Sequence, residues 1–274
     1  MVVELRTATD LHVIREGLDR DYRLVEDIEI DEKFQPIGSS VKPFTGTLNG
    51  NGHVIENLRL DEHEQNHVGL FGYTKGAEIR NLGLVDVDVH GSTVVGGLIG
   101  HASSTTVSQV FVTGNVAGIR MIGGIVGRMS NSTLTQSYAV GTVTGTRCVG
   151  GLVGKGKFGR IHTAYATSKV IGDHRVAGII GVNGIVNNMV SNVVADCFID
   201  ARKTTSGLIA YQNNGTIENS YYVDDGIHSA VETEWGEMEH VEDSPTVLSD
   251  SWTVVDGIPL LSAFDTEQQL AYRE

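Results

Sequence analysis

The sequence has no aspartate or glutamate between residues 89 and 172, although its 274 residues carry a net charge of −14. It has two cysteines, four prolines and seven phenylalanines. Cys148 and Cys197 stand alone, so they form no disulfide framework or paired-ligand motif and read as small buried thiols. No apolar run approaches the ~20 residues of a membrane helix, so no membrane insertion is expected. The start, Met1-Val2-Val3-Glu4-Leu5-Arg6, lacks the basic-then-apolar order of a secretion signal. Long helical periodicity is nearly missing. There is no Gly-x-Ser-x-Gly, His-Glu-x-x-His or phosphate loop, and no spaced Asp-x-Asp-x-Asp-Gly calcium loop. No cofactor or metal is expected.

The acids crowd at the ends. Residues 1–88 hold 17 acids against 9 bases, residues 173–274 hold 17 against 4, and the acid-free middle holds 7 bases. Nucleic-acid binding fits the overall charge poorly, although the middle could contact phosphate. Arginine outnumbers lysine 13 to 7. An acidic, lysine-poor chain hints at a salt-rich habitat, where self-repulsion is screened.

What is abundant is glycine, 34 residues, and much of it is periodic. Val95-Gly96-Gly97-Leu98-Ile99-Gly100 returns as Ile122-Gly123-Gly124-Ile125-Val126-Gly127 and as Val149-Gly150-Gly151-Leu152-Val153-Gly154, with weaker copies at 68–72, 176–181 and 206–210. The glycine before the Leu or Ile falls at 69, 97, 124, 151, 178 and 207. A second strand starts at Ile79, Val107, Leu134, Ile161, Val190 and Ile217, and a third carries Val116, Val143, Val170 and Ile199. Three short strands in about 27 residues make one coil of a β-solenoid, paired to its neighbours at about 4.8 Å. Gly124 and Gly151 are expected to need glycine's backbone freedom.

The flanks read as caps. Residues 8–18 suit a short helix with Thr9 as cap, Asp10 near its start and Leu11, Ile14 and Leu18 on one face, covering the open end of the stack. Tyr22–Val25 and Ile28–Ile30 read as strands, and Asn49-Gly50-Asn51-Gly52 as a turn that His53 borders. The expected division is 1–66 for the N-terminal cap and first coil, 67–223 for the repeats, and 224–274 for an irregular cap rich in acids such as Glu232, Glu234 and Glu237.

The Gly-Leu-x-Gly strand, followed by runs such as Leu134-Thr135-Gln136-Ser137-Tyr138-Ala139-Val140-Gly141-Thr142-Val143, resembles the GLUG repeat of bacterial and archaeal surface proteins. Those include adhesins and non-catalytic portions of some immunoglobulin A proteases. Phe34-Gln35-Pro36-Ile37-Gly38, residues 44–53, Trp252 and residues 256–261 are similar to the segments that open and close such repeats. The resemblance covers roughly 5–262 and implies an all-β, single-stranded right-handed parallel β-helix. It carries no catalytic motif.

One period apart, residues stack in columns. The amide-rich column Asn81, Gln109, Gln136, Thr163, Asn192 and Asn219 reads as a hydrogen-bonded ladder. The aromatic column Phe111, Tyr138 and Tyr165, with Tyr221 beyond it, is flanked by small residues. If those point inward, the rings form an outer stripe for sugars; the alternative is packing of the rings against one another or a turn. Two basic columns border the glycine motif: Arg120, Arg147 and His174 before it, His101, Arg128 and Lys155 after it. Stacked cations repel by roughly 0.8 kcal/mol per pair at water's dielectric. They form either a solvated face in salt or a docking strip for an anionic glycan or an acidic protein.

Facing carboxylates for a hydrolase or lyase survive only at the edges, as Asp86, Asp88, Asp173, Asp196 and Asp200. The expectation is therefore a non-catalytic binding or structural protein, with an enzyme acting on polysaccharide as the lesser alternative. Ice binding lacks its flat threonine columns. The plain start and the two caps suggest a stand-alone, extracellular or virion protein: a spike, turret or tail component, or alternatively a cell-surface adhesin. A homo-oligomer or larger assembly is the expected state.

Overall fold

A computed structural model describes residues 2–184, 188–203, 205–211, 215–222, 252–255, 258–261 and 269. The chain winds into a parallel β-solenoid of about seven turns. Its coils share a large 18-stranded sheet and a five-stranded one. In the regular region one coil is Thr106–Ala117, Arg120–Gly123 and Val126–Ser130, and the next is Thr133–Thr144, Arg147–Gly150 and Val153–Lys157. Register runs coil to coil, as in Val107↔Leu134, Val116↔Val143 and Ile122↔Val149. Val190 falls two residues late in the period, 29 after Ile161, yet it pairs with Ile161 and then with Ile217.

The interior is built from stacked aliphatic residues. Leu98, Ile125, Leu152, Ile179 and Leu208 are fully buried, as are Ile79 and Leu134. Each such side chain contributes about 1.5–3 kcal/mol by leaving water. No coil could bury these residues alone, so the stack is the folding unit.

Left-handed residues turn the corners. His67, Val94, Met121, Cys148 and Arg175 hold φ of 59° to 63° just before the glycine motif. Ser104, Asn131 and Phe158 hold 50° to 52° after the small-sheet strand. The amide-rich column is a third set of corners: Asn81, Gln109, Gln136, Thr163, Asn192 and Asn219 all have φ between 44° and 53°. Its main task is therefore to turn the chain, with Asn81 Nδ2 donating to Asn49 Oδ1 at 3.2 Å. Hydroxyl contacts run coil to coil elsewhere: Thr74 Oγ1 meets Thr105 Oγ1 at 2.8 Å, and the Thr105 backbone N–H donates to Ser132 Oγ at 3.0 Å.

The motif glycines are needed for a different reason from the one expected. Gly124 and Gly151 have no positive φ. A Cβ there would strike the carbonyl oxygen of the glycine one coil on, Gly151 and Gly178 respectively. Gly97 shows the same approach, with Gly124 O 2.6 Å from the added carbon. Backbone cannot yield as a side chain can, so the column excludes any larger residue.

At the N-terminus, Val2–Leu5 opens the stack by pairing with Asp21–Leu24. The helix is Ala8–Val13, continued by a 3₁₀ turn at Ile14–Glu16. Its cap is Thr7, two residues earlier than expected, because Thr7 and Asp10 form a reciprocal capping box. His53 sits on Asp27 Oδ1 at 3.1 Å, in keeping with a turn role. Most of 224–274 lies outside the described residues, as does the acidic run 232–243. Trp252–Val255 and Ile258–Leu261 form an antiparallel pair, an arrangement distinct from the parallel coils.

Candidate functional site: a cationic flank

The small sheet comprises Phe71–Lys75, Ile99–Ser103, Val126–Ser130, Val153–Lys157 and Ile180–Gly184. Thr74, Ala102 and Met129 are buried on its inner side. By strand alternation their neighbours face outward. Tyr73, His101, Arg128, Lys155 and Val182 share one register column, and Lys75, Ser103, Ser130 and Lys157 share the next. None of these residues is acidic.

Both basic columns exist as stacks. Arg120 pairs in register with Arg147, and Arg147 with His174. The left-handed corner lies between this column and His101, Arg128 and Lys155, and it brings the two within electrostatic reach. Burial, then Arg128, and more weakly Arg120 and Arg175, lower the pKa of Lys155. Arg120 and Arg147 are exposed, while Arg128, Lys155 and His174 are half-buried. Among the described residues, Arg120, Arg128, Arg147 and Lys155 form no ion pair. The Nε of Arg128 is buried without a hydrogen-bond acceptor.

His101 is the most enclosed of the group, 8% exposed, with Nε2 3.2 Å from Ser130 Oγ. Burial, with the charge of Arg128 beside it, pushes its pKa down to about 4. His67 is lowered too, by burial and then Arg128. The sequence reading missed His67 and Tyr73, whose rings pack with His101: centroids lie 4.5 Å apart for Tyr73–His101 and 5.7 Å for His67–His101. The signal was the period itself. Tyr73 stands 28 residues before His101, and His67 leads the corner column that ends in Arg175.

The aromatic column is not an outer binding stripe. Phe111, Tyr138 and Tyr165 are all buried. They form a second apolar cluster with Val54, Val85 and Val194, outside the coil's own interior. Phe111 and Tyr138 stack at 5.1 Å with planes 5° apart. Tyr138 Oη donates to Gln269 Oε1 at 3.2 Å, so the chain returns from 131 residues away to this face. Packing of rings, the alternative reading, is what occurs.

Three of the five edge carboxylates are engaged in ion pairs, and Asp196 accepts from Tyr165 Oη at 3.4 Å. Asp86 holds Arg59 at 2.6 Å, Asp88 meets His90, and Asp173 meets Arg202. Asp86 sits at a left-handed residue, φ 51°, which breaks the alternation that would have aligned it with Asp88. Two Ser–His contacts occur, His101–Ser130 and His162–Ser191. Among the described residues neither histidine also holds a carboxylate, so neither forms a Ser–His–Asp arrangement. Both cysteines are free. The thiol of Cys197 donates to Ala166 O and is pushed by burial up to about 12, which suppresses the reactive thiolate.

No family model matches the chain. A stretch of 107 residues is 39% identical to halomucin of Haloquadratum walsbyi, and 110 residues are 32% identical to a candidate Gly-rich membrane protein of Evansella cellulosilytica. These matches cover 36% and 35% of this chain but only 1% and 13% of the relatives. Among solved structures, a candidate immunoglobulin A1 protease from Bacteroides ovatus superposes with a TM-score of 0.75 at 18% identity, over 96% of this chain and 92% of that one. A second IgA1 protease gives 0.61 at 17% identity, over 86% of this chain and 21% of its own. These likenesses establish the solenoid fold. They also overturn the expectation of a non-catalytic chain, because both neighbours bear the name of a proteolytic enzyme. No described helix is long and apolar enough to cross a membrane.

Proposed function

We propose that the chain is a GLUG-type β-helix of a surface protein and that it attaches to a polyanion through its cationic flank. The observation that carries this is the set of unpaired cations, Arg120, Arg128, Arg147 and Lys155, stacked in register on an acid-free face. In the N-terminal coils, by contrast, Arg6, Arg23, Arg59 and Arg80 are each held by a carboxylate. A row that repels itself is stabilised by an anion laid along it. The names of the sequence relatives, halomucin and a Gly-rich membrane protein, fit a cell-surface setting better than a virion. Reversing Arg120 and Arg147 to Glu should abolish retention on an anionic polymer at low salt while leaving the thermal melt intact. Unchanged retention discards the proposal.

A second reading, proteolysis, comes from the names of the fold neighbours. Incubation of the protein with immunoglobulin A1, followed by mass spectrometry, tests it. Intact immunoglobulin would remove it.

A further inference from the structure

The cationic flank is not uniform. Toward Lys155 the neighbouring cations lie over single rings, Lys157 over Phe158 and Arg175 over Tyr211. At Arg128 it meets a cluster of rings, His67, Tyr73 and His101, with centroids 4.5 to 5.7 Å apart. Here, too, Arg128 leaves a buried Nε without an acceptor. Arg128 as a whole is half-buried and has no ion-pair partner among the described residues, so a carboxylate that meets its guanidinium faces no competing acid.

Given the docking reading above, we propose that Arg128 with Tyr73, His67 and His101 forms a subsite for one carboxylated sugar of an acidic polysaccharide. The guanidinium takes the carboxylate, and the half-buried rings of Tyr73 and His67 take the apolar C–H face of the pyranose, with the enclosed His101 packed against them. Ser130, on His101 Nε2, fixes the histidine ring behind them.

An acidic peptide fits this flank less well. Side chains on one face of an extended peptide recur at about 6.7 Å, against about 4.8 Å for residues on successive coils. A peptide laid along the axis therefore falls out of step within two coils. It would also offer the rings at Tyr73 only a flexible carboxylate stem.

The test is calorimetric titration of the intact protein at low salt with polygalacturonate, neutral dextran and polyglutamate. Polygalacturonate should bind and dextran should not. Arg128→Gln should weaken polygalacturonate about tenfold. Tyr73→Ala should weaken polygalacturonate about fivefold and leave polyglutamate unchanged, while Tyr73→Phe keeps full binding. On the unaltered protein, galacturonic acid should displace the polymer at concentrations where acetate does not, which needs no variant to fold. Equal loss of both polymers in Tyr73→Ala, or equal displacement by acetate, overturns the sugar subsite and leaves the polyanion reading standing. Binding of polyglutamate alone also overturns the subsite. Binding of neither polymer removes both.

Discussion

The N-terminal coils and the middle coils share one scaffold and treat charge in opposite ways. Up to residue 88, Arg23 is held by Glu4, Arg59 by Asp86 and Arg80 by Glu78. His12, His53 and His63 each face a carboxylate, as does His90 just past that boundary, on Asp88. From 89 to 172 there is no carboxylate to hold anything. Arginines stack on arginine instead, and His67 and His101 lie beside Arg128 with depressed pKa values. In the first region electrostatics supports the stack. In the second it works against the stack, which holds because backbone pairing and the aliphatic interior are indifferent to what the flank carries.

If the scaffold is common, breaking it should be equally damaging in both regions. Gly69→Val and Gly151→Val each drive a side chain toward the carbonyl of the following coil, Gly96 O and Gly178 O. Each should destabilise by about 3–5 kcal/mol or prevent folding. Urea unfolding of the two variants checks this. A mild loss at one site and a severe loss at the other would show that the coils are not equivalent.

The second prediction separates the regions by pH. The folded pKa of His101 is about 4, below the ordinary value of about 6.5. Above that ordinary value the group is neutral in both states and contributes nothing. As pH falls toward 4, the unfolded chain takes the proton first, so stability is lost across that window. The loss is on the order of 3 kcal/mol when complete, and His67 adds to it in the same direction. His101→Gln should flatten this limb relative to the parent protein. Parallel stability curves between about pH 6.5 and pH 4 would refute the assignment.

The scaffold was legible because stacking forces the same small residue into the same place. Gly97, Gly124 and Gly151 repeat for the steric reason that a carbonyl lies over each. The corners were not legible. Val94, Met121, Cys148 and Arg175 all hold positive φ, yet none is a residue that announces it; the surrounding ladders impose the angle. With those corners unseen, inside and outside of a strand could not be told from alternation alone, and Phe111, Tyr138 and Tyr165 were assigned to solvent as one of two options. Tyr138 also meets Gln269, a contact no local pattern encodes. The basic columns fared better, because period alone places Arg120 over Arg147. Period also carries Tyr73 and His67 to the same flank, but not the packing of their rings on His101.

A third prediction addresses the cost of the unpaired row. Arg147→Glu sets a carboxylate between Arg120 and His174 in the same column. At low salt it should stabilise the protein by about 0.5–1 kcal/mol, and the gain should fade at about 1 M salt, where the Debye length is about 3 Å. The same variant should bind polyanion less well. Stability and binding would then move in opposite directions, the behaviour of a row kept for its ligand. A substitution that lowered both would mean that the cations support the fold directly.

The smallest effect belongs to the paired region and completes the contrast. Arg59 and Asp86 are both well exposed, at 49% and 63%, and lie 2.6 Å apart. Exposed pairs of this kind contribute about 0–1 kcal/mol, because water screens them and two side chains are held in place. Arg59→Met should therefore lower stability by no more than about 0.5 kcal/mol, with no change in polyanion binding, since residue 59 lies on a different coil side from Arg128. Chemical denaturation beside the same calorimetric titration measures both. A binding loss comparable to that of the Arg128 variant would show that the anion tracks over the N-terminal coils as well, and the division between a paired half and a ligand-carrying half would have to be given up.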